Sequence, residues 1–202
     1  MDHFRLLAPV YDRVMGAPDV ERLSALLALP TRGRLLDVGG GTGRVSRPLR
    51  PRVGGVAVCD VSRPMLSRAR DKGAAGVCAR AEHLPFADRC FARVLAVDAL
   101  HHFASAPAAV AEMVRVLAPG GRVVIEEFDA ARPLVRWLAL AEMLAGMRSR
   151  FMRAVEIRRL LAAHGLNTRL EPARRRLATH IIADRPQSRP GTVREPVDPN
   201  PC

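Results

Sequence analysis

Three glycines at alternating positions, placed directly after a short apolar run, are the residues of this sequence with the clearest chemical meaning. Residues 35–43 read LLDVGGGTG, so that Asp37 is followed by Gly39, Gly41 and Gly43. Glycine lets the backbone turn sharply and approach a ligand where a Cβ would collide, and free N–H groups at a following helix start would face that ligand. The spacing matches neither G-x-G-x-x-G nor G-x-x-x-x-G-K-[ST]. The sequence therefore predicts a binding turn that is neither a dinucleotide fingerprint nor a P-loop.

An acidic residue at the end of the next apolar run extends this prediction. The run VAVC at 56–59 precedes Asp60, about 20 residues after the glycines, where α/β nucleotide-binding folds place a carboxylate on the two hydroxyls of a ribose. An aspartate considered alone could instead be a helix N-cap or a turn residue. Behind a glycine turn, Asp60 favours the binding of a nucleoside sugar.

The elements around these residues alternate in the way that is typical of a parallel sheet. Apolar runs predict strands at 34–38, 55–59, 75–79, 91–97, 122–128, 166–170 and 177–183. Apolar residues at helical spacing predict helices at 19–29, 42–50, 62–72, 110–117, 131–148 and 153–164. The helix at 131–148, with Leu134 and Trp137 on one face, is expected either to cover the sheet or to form part of a substrate cap.

The glycine segment resembles motif I of the class I S-adenosylmethionine (SAM) dependent methyltransferases, Asp-x-Gly-x-Gly-x-Gly. Further segments resemble the same family in order: Ala-Pro-x-Tyr-Asp at 8–12, Leu-Pro-Phe at 84–86, the segment after the fourth strand at 98–103, and Val-x-x-Leu-x-Pro-Gly-Gly at 114–121. The strand end Glu127-Phe128 adds to a match with the methyltransferase-11 group, which includes the ubiquinone and menaquinone C-methyltransferases. The resemblance implies an α/β fold: a Rossmann-like, seven-stranded, mostly parallel sheet with helices on both faces and a C-terminal antiparallel hairpin.

The resemblance also implies a SAM site. The residues expected to form it are Asp37, Gly39, Gly41, Gly43, Asp60, Val61, Ala81, Glu82 and Asp98. One position departs from the family pattern, because Arg80 stands where an acid usually accepts from the adenine amino group. Ala81 can still donate to the adenine through its backbone, and Glu82 can replace the missing acid if the loop is displaced by one or two positions.

The candidate catalytic residues are His102, His101, Asp98 and Tyr11. Adjacent histidines point in different directions, so at most one of the pair is expected to face the pocket. In the family, a tyrosine near the start of the chain lies over the SAM pocket, although Tyr11 could equally be a packing residue. If the acceptor is a hydroxyl or an activated carbon, a base at His102 or Asp98 would remove its proton.

Length and composition predict one domain with a sizeable core. The 202 residues contain no apolar run long enough to cross a membrane, and the first residues lack a signal peptide, which favours a cytoplasmic protein. The predicted methyltransferase domain spans 1–184. Residues 185–202 contain repeated prolines and almost no apolar side chain, so a disordered tail is expected there.

The formal charge of +12 comes almost entirely from arginine, since Lys72 is the only lysine. Such a bias is typical of genomic base composition, and a nucleic-acid partner is therefore disfavoured. Weak attraction to a membrane surface is compatible with the charge. The four cysteines lack the spacing of metal ligands, and small buried thiols in a reducing compartment explain them, so no metal site is expected.

The leading hypothesis is a SAM-dependent methyltransferase of a small molecule, with a quinone-like or other lipophilic aromatic acceptor. The segment Asp98-Ala99-Leu100-His101 does not resemble the Asn/Asp-Pro-Pro-Tyr motif of enzymes that methylate exocyclic base amines. A methyltransferase of RNA or protein is the first alternative, motivated by the charge. A non-catalytic SAM-binding regulatory protein is the second, motivated by Arg80.

Overall fold

The computed structural model describes residues 17–71, 73–135, 137, 150–173 and 177–187. Its strands are β1 Arg34–Val38, β2 Gly55–Asp60, β3 Ala75–Cys78, β4 Phe91–Val97, β5 Leu117–Phe128, β6 Asn167–Pro172 and β7 Ala178–Asp184. Its helices are α1 Val20–Leu26, α2 Arg63–Asp71, α3 Ala106–Val116 and α4 Ala154–Ala163, with 3₁₀ helices at Arg47–Arg52 and Leu100–His102.

The strands form one seven-stranded sheet in the order β3-β2-β1-β4-β5-β7-β6. Strands β1 to β5 are parallel, and β7 runs antiparallel to both β5 and β6. This confirms the predicted fold class, including the C-terminal hairpin. From β1 the chain proceeds outward to β2 and β3 and then returns to β4 on the other side of β1. Open α/β sheets bind ligands at such a reversal, outside the carboxyl ends of the strands.

Side chains of the central strands alternate between two cores, one on each face of the sheet. Leu36 and Val94 belong to the core that α3 and α4 cover. Leu35 and Leu95 belong to the core that α1 and α2 cover. Burial on both faces explains why these strands read as continuous apolar runs in the sequence.

The helix predicted at 42–50 is wrong. Turns occupy 41–46, and a 3₁₀ helix spans Arg47–Arg52. Pro48 and Pro51 account for the difference, because proline lacks the N–H that a continuing α-helix needs and disfavours the α conformation of the residue before it.

Strand β5 begins at Leu117, five residues before the predicted start at 122, so the Pro-Gly-Gly segment at 119–121 lies inside the strand. Gly120 has a φ of +71°, and its N–H donates to the carbonyl of Arg185 at 3.1 Å. The N–H of Arg185 in turn donates to the carbonyl of Gly121 at 2.9 Å. The segment after β7 therefore extends the pairing along β5.

Several predictions concern parts of the chain outside the described residues: the segment 2–15 with Tyr11, most of the helix at 131–148, and the tail from 188 onward. Of the predicted helix, 133–135 are helical. Leu134 and Trp137 are 60% and 68% exposed, whereas Val135 is buried, so in this first turn Val135 covers the core. The division into a domain at 1–184 and a tail at 185–202 stays a prediction.

Candidate active site

The glycine turn at 39–43 leaves β1 at the reversal of the sheet. Its three predicted glycines have φ values of +70°, +55° and +67°, which side chains other than glycine rarely adopt. The N–H of Gly39 donates to the carbonyl of Cys59 at 2.7 Å, which fixes the turn against the end of β2. A Cβ at Gly39 would lie 2.7 Å from that of Ala99, whereas the nearest atom to a Cβ at Gly41 would be an Asp60 oxygen at 3.9 Å. Packing therefore requires Gly39, and Gly41 leaves open space beside the carboxylate.

Asp60 connects the turn to the end of β2. Its Oδ2 accepts a hydrogen bond from the N–H of Gly41 at 2.9 Å, and its Oδ1 accepts one from the N–H of Ser62 at 2.7 Å. A carboxylate can accept about four hydrogen bonds. Asp60 can therefore hold the turn and accept from a ligand hydroxyl at the same time.

A cavity of about 420 Å³ opens beside this turn, within the size range of small-ligand sites. We call it the glycine cavity. Eight of the predicted site residues line it, namely Gly39, Gly41, Asp60, Val61, Ala81, Glu82, Asp98 and His102. Val61 is 65% exposed at its rim. Apolar lining residues that the sequence did not single out are Cys59, Met65, Ala79, Ala99, Phe103 and Ala104.

Asp37 and Gly43 are not among the residues that line the glycine cavity. Asp37 is 1% exposed and lies under the turn, since a Cβ at Gly40 would be 2.4 Å from its carboxyl carbon. Burial, with a smaller contribution from the charge of Asp60, raises the pKa of Asp37 to about 6. Asp37 therefore supports the glycine turn and does not line the cavity.

The loop expected to meet the adenine ring brings Arg80, Ala81 and Glu82 to the cavity wall. Glu82 is 9% exposed; its Oε1 accepts from the N–H of Ser105 at 3.0 Å, and its Oε2 lies 3.4 Å from Nε of Arg80. Burial raises the pKa of Glu82, but hydrogen bonds from backbone N–H groups, that of Ser105 foremost, and from the side chain of Arg80 together outweigh it, and the pKa lies below its usual value. Arg80, which stands where the family usually has an acid, thus pairs with Glu82, the acid that could take over that role.

The two adjacent histidines have different environments. His101 is 4% exposed and stacks on Phe151, with ring centroids 4.3 Å apart. Its Nδ1 lies 2.6 Å from Oε1 of Glu127. His102 instead lines the glycine cavity, and the protein around it, together with His101, lowers the pKa of His102 to about 4. His102 is therefore neutral at pH 7.

Glu127 holds the loop that presents His102. It is 2% exposed, and its Oε2 accepts from the backbone N–H groups of Leu100 at 2.9 Å and His101 at 3.4 Å. Its Oε1 accepts from the N–H of Phe128 at 3.1 Å. The sequence presented Glu127 only as an acid at a strand end; its burial depends on contacts between distant segments.

Asp98 is the last predicted catalytic residue that the structure describes. It lines the glycine cavity with a φ of +50°, a conformation that aspartate tolerates better than most residues. Its N–H donates to the carbonyl of Glu126 at 2.9 Å. Asp98 and His102 thus meet at one cavity, whereas His101 lies in the packing behind them.

The comparison with known protein families agrees with this arrangement. The family described as "Methyltransferase domain" (Methyltransf_11) matches residues 36–125, which include the glycine turn, Asp60, the Arg80–Glu82 loop and the two histidines. Just under half of this chain therefore matches a methyltransferase domain family. The resemblance predicted from the glycine motif is thereby confirmed, and SAM is the cofactor that this family implies.

Curated relatives match the methyltransferase domain over part of their length. The ubiquinone/menaquinone biosynthesis C-methyltransferase UbiE of Paracoccus denitrificans is 38% identical over 115 residues, which cover 52% of this chain and 46% of that protein. The biotin biosynthesis bifunctional protein BioHC of Cellvibrio japonicus is 37% identical over 128 residues, covering 60% of this chain and 26% of that protein. The chain thus spans about half or less of the length of these relatives.

Solved structures share the fold at low sequence identity. Magnesium protoporphyrin IX methyltransferase (ChlM) from Synechocystis PCC 6803 with bound SAH has a TM-score of 0.72 and 18% identity, over 91% of this chain and 97% of that one. The [4+2]-cyclase SpnF has a TM-score of 0.74 and 18% identity, over 92% and 94%. The fold alone therefore does not fix the reaction.

None of the helices in the described ranges combines the length and the apolar character of a membrane span. Nor do these ranges hold a group of three or more His, Cys, Asp or Glu side chains placed around a metal ion.

Replacing Asp60 by alanine is expected to weaken SAM binding by about 1–3 kcal/mol, the loss typical of hydrogen bonds to a charged group. The change removes an acceptor at the cavity wall and the contact that fixes the N–H of Gly41. Titration calorimetry with SAM measures the effect. Asp71→Ala, which removes an exposed acid outside the cavity, is the control. Equal affinities for Asp60→Ala and the native protein would contradict the assignment of Asp60 to the ribose.

Proposed function

We propose that the protein transfers a methyl group from SAM to a small-molecule acceptor. The observation that carries this proposal is the glycine cavity itself: within a methyltransferase domain, an open backbone position at Gly41 faces a carboxylate that can bind a sugar. Nucleotide-binding α/β folds combine these two features at the end of adjacent strands. The proposed contacts are the backbone at Gly39 and Gly41, the carboxylate of Asp60, and the loop at 80–82.

The methyl group of SAM is already activated by its positive sulfur, so the protein needs only to orient the acceptor, exclude water and accept a proton where one is released. His102 is suited to accept a proton because it is neutral at pH 7 and lines the cavity. Its pKa of about 4 makes it a weak base. Glu82 and the backbone of Ala81 are positioned to hold the adenine ring, and the exposed Val61 can cover the ligand with apolar surface.

The acceptor that we propose is a quinone-like or other lipophilic aromatic molecule. The name of the Paracoccus relative supports this class, as do the apolar lining residues of the cavity. Cys59, Cys78 and Cys90 form no disulfide among the described residues, which is compatible with a reducing, cytoplasmic environment. The net charge of +12 would permit weak association with an anionic membrane surface where such acceptors reside.

Calorimetry with SAM and with S-adenosylhomocysteine tests the proposal. We expect each ligand to bind the folded protein at a single site, and we expect competition between the two. Failure of both ligands to bind protein whose fold is verified by circular dichroism would remove the proposal. If both bind but no labelled methyl group is transferred in a broad acceptor screen, a regulatory SAM-binding protein is the better description.

The net positive charge motivates one further experiment, which tests whether RNA or protein is the methyl acceptor. If RNA or protein is the acceptor, labelled methyl groups should appear on macromolecules from a cell extract. RNase treatment that abolishes this labelling identifies RNA. Retention on RNA that falls steeply with salt, without labelling, marks only electrostatic attraction.

A further inference from the structure

Exposed apolar side chains are concentrated at the starts of two helices. Leu134 and Trp137 are 60% and 68% exposed, although these residue types are usually buried. Both are helical and lie three positions apart, so they share one helix face. Val155, in the first turn of α4, is 39% exposed. Among the described residues, Val61 at the rim of the glycine cavity is the fourth large apolar side chain that is this exposed.

Hydrogen bonds hold the two helix starts side by side. Asp129 directly follows β5. Its Oδ1 accepts from the N–H of Ala131 at 3.0 Å and from the N–H of Ala154 at 3.2 Å. The N–H of Ala130 also donates to the carbonyl of Met152 at 3.1 Å. The exposed apolar side chains of both helices therefore belong to one region of the protein surface.

Arginines surround these apolar side chains. Arg158 and Arg159 follow Val155 by three and four positions on α4, which places all three on one helix face. The acids in the described parts of the two segments are Asp129 and Glu156, and each accepts backbone N–H groups. The region therefore carries a net positive charge. The exposed arginines are Arg132, Arg150, Arg153, Arg158 and Arg159. We call these five arginines, together with Leu134, Trp137 and Val155, the tryptophan surface.

The tryptophan surface adjoins the glycine cavity. Asp129 follows the carboxyl end of β5, which runs parallel to β4, and Asp98 at the cavity wall follows β4. The N–H of Arg150 donates to the carbonyl of His101 at 2.8 Å, and the next residue, His102, lines the cavity. The surface and the cavity thus share one edge of the sheet and one connecting loop.

The combination of indole, aliphatic and guanidinium groups matches an anionic lipid bilayer. Tryptophan and leucine insert at the boundary of headgroups and acyl chains, and arginines attract the lipid phosphates. A second copy of this chain in a two-fold dimer would bring like charges against each other. A nucleic acid could pair with the arginines and stack on Trp137, but it would leave Leu134 and Val155 without an apolar partner.

We propose that the tryptophan surface binds the protein to an anionic lipid bilayer. Leu134 and Trp137 insert at the level of the headgroups, and the arginines contact lipid phosphates. Bilayer binding does not depend on the proposed function. Its consequence, that a lipophilic acceptor reaches the glycine cavity from the bilayer, rests on that function.

Fluorescence of the whole chain tests the inference. Trp137 is the only tryptophan of the sequence, so the indole emission reports on this surface. We expect the emission to shift to shorter wavelength when vesicles of equal parts phosphatidylcholine and phosphatidylglycerol are added, and to be quenched when their acyl chains carry bromine. Vesicles of phosphatidylcholine alone should cause little shift, because they lack the anionic headgroups that attract arginine.

Cosedimentation with the mixed vesicles measures binding by variants whose fold is verified by circular dichroism. Leu134→Ser should weaken binding about tenfold, since one leucine no longer inserts. Replacing Arg158 and Arg159 together by glutamine should weaken it by about tenfold or more. The matched control replaces Arg32 and Arg89 by glutamine, with the same loss of net charge. Both are exposed and precede β1 and β4 at the opposite edge of the sheet, so this control should retain native binding.

Several outcomes would overturn the inference: no vesicle binding, binding without a change in Trp137 emission, or equal weakening by the two pairs of arginine substitutions. An emission shift caused by RNA but not by vesicles would assign the surface to a nucleic acid instead. A shift that follows protein concentration without lipid would assign it to a second copy of the chain. SAM binding is measured separately, and its failure would remove the proposed function without changing the vesicle result.

Discussion

Gly41→Val is expected to lower the affinity for SAM by more than about 100-fold while the protein remains folded. Among the described residues other than its chain neighbours, none has an atom closer than 3.9 Å to the Cβ position at Gly41, so the added side chain extends into the glycine cavity and not into the core. Valine there occupies the space where a ligand must approach the backbone. Titration calorimetry measures the loss.

Backbone strain is the alternative cause of such a loss, because Gly41 has a φ of +55°. A left-handed conformation costs a side chain about 1–2 kcal/mol. Gly165→Val is the matched control. Its φ is +79°, the part of the chain that the structure describes places no atom within 4 Å of its Cβ position apart from its chain neighbours, and it follows α4 away from the cavity. Both variants should lose similar stability, and only Gly41→Val should lose SAM. Normal SAM binding by Gly41→Val would place the cofactor elsewhere.

Local patterns in the sequence were sufficient to predict most of the fold. The fourth strand, 91–97, agrees with β4 at both ends, because an apolar run between polar turns marks a strand that is buried on both faces. The glycine spacing predicted the turn after β1, because only that residue type readily adopts φ values near +60° at three alternating positions.

The candidate site was predictable where a residue acts through its own backbone or lies at a strand end. Gly41 and Asp60 line the same cavity because the carboxyl ends of neighbouring parallel strands meet at one edge. The contact between His180 and Glu126 was not predictable from the sequence, since the two residues lie 54 positions apart and the pairing of β5 with β7 decides it. A histidine within an otherwise apolar strand was the available signal.

The distinction between His101 and His102 also depended on tertiary contacts. Their sequence predicts only that the two rings point in different directions. The structure assigns His101 to packing because Glu127 and Phe151 reach it from β5 and from the segment before α4. That contact gives Glu127 a structural importance that no motif of the sequence indicates.

Glu127→Ala is expected to lower the free energy of unfolding by about 3–5 kcal/mol, because each buried donor left without an acceptor costs about 1–3 kcal/mol. The change leaves the N–H groups of Leu100 and Phe128 and Nδ1 of His101 without their acceptor in the protein interior. Urea denaturation followed by circular dichroism measures the loss, and Glu127→Gln, which keeps an acceptor oxygen, should lose less.

Asp88→Asn is the control for the effect of removing an acid. Asp88 pairs with Arg115 at 2.7 Å, but its side chain is 70% exposed, so its loss should cost no more than about 1 kcal/mol.

Because Glu127 fixes the loop that carries His102 into the glycine cavity, weaker SAM binding should accompany the lower stability of Glu127→Ala, even at temperatures where that variant is fully folded. An equally small stability change in Glu127→Ala and Asp88→Asn would mean that water replaces the carboxylate, and that packing of His101 on Phe151 alone positions the loop.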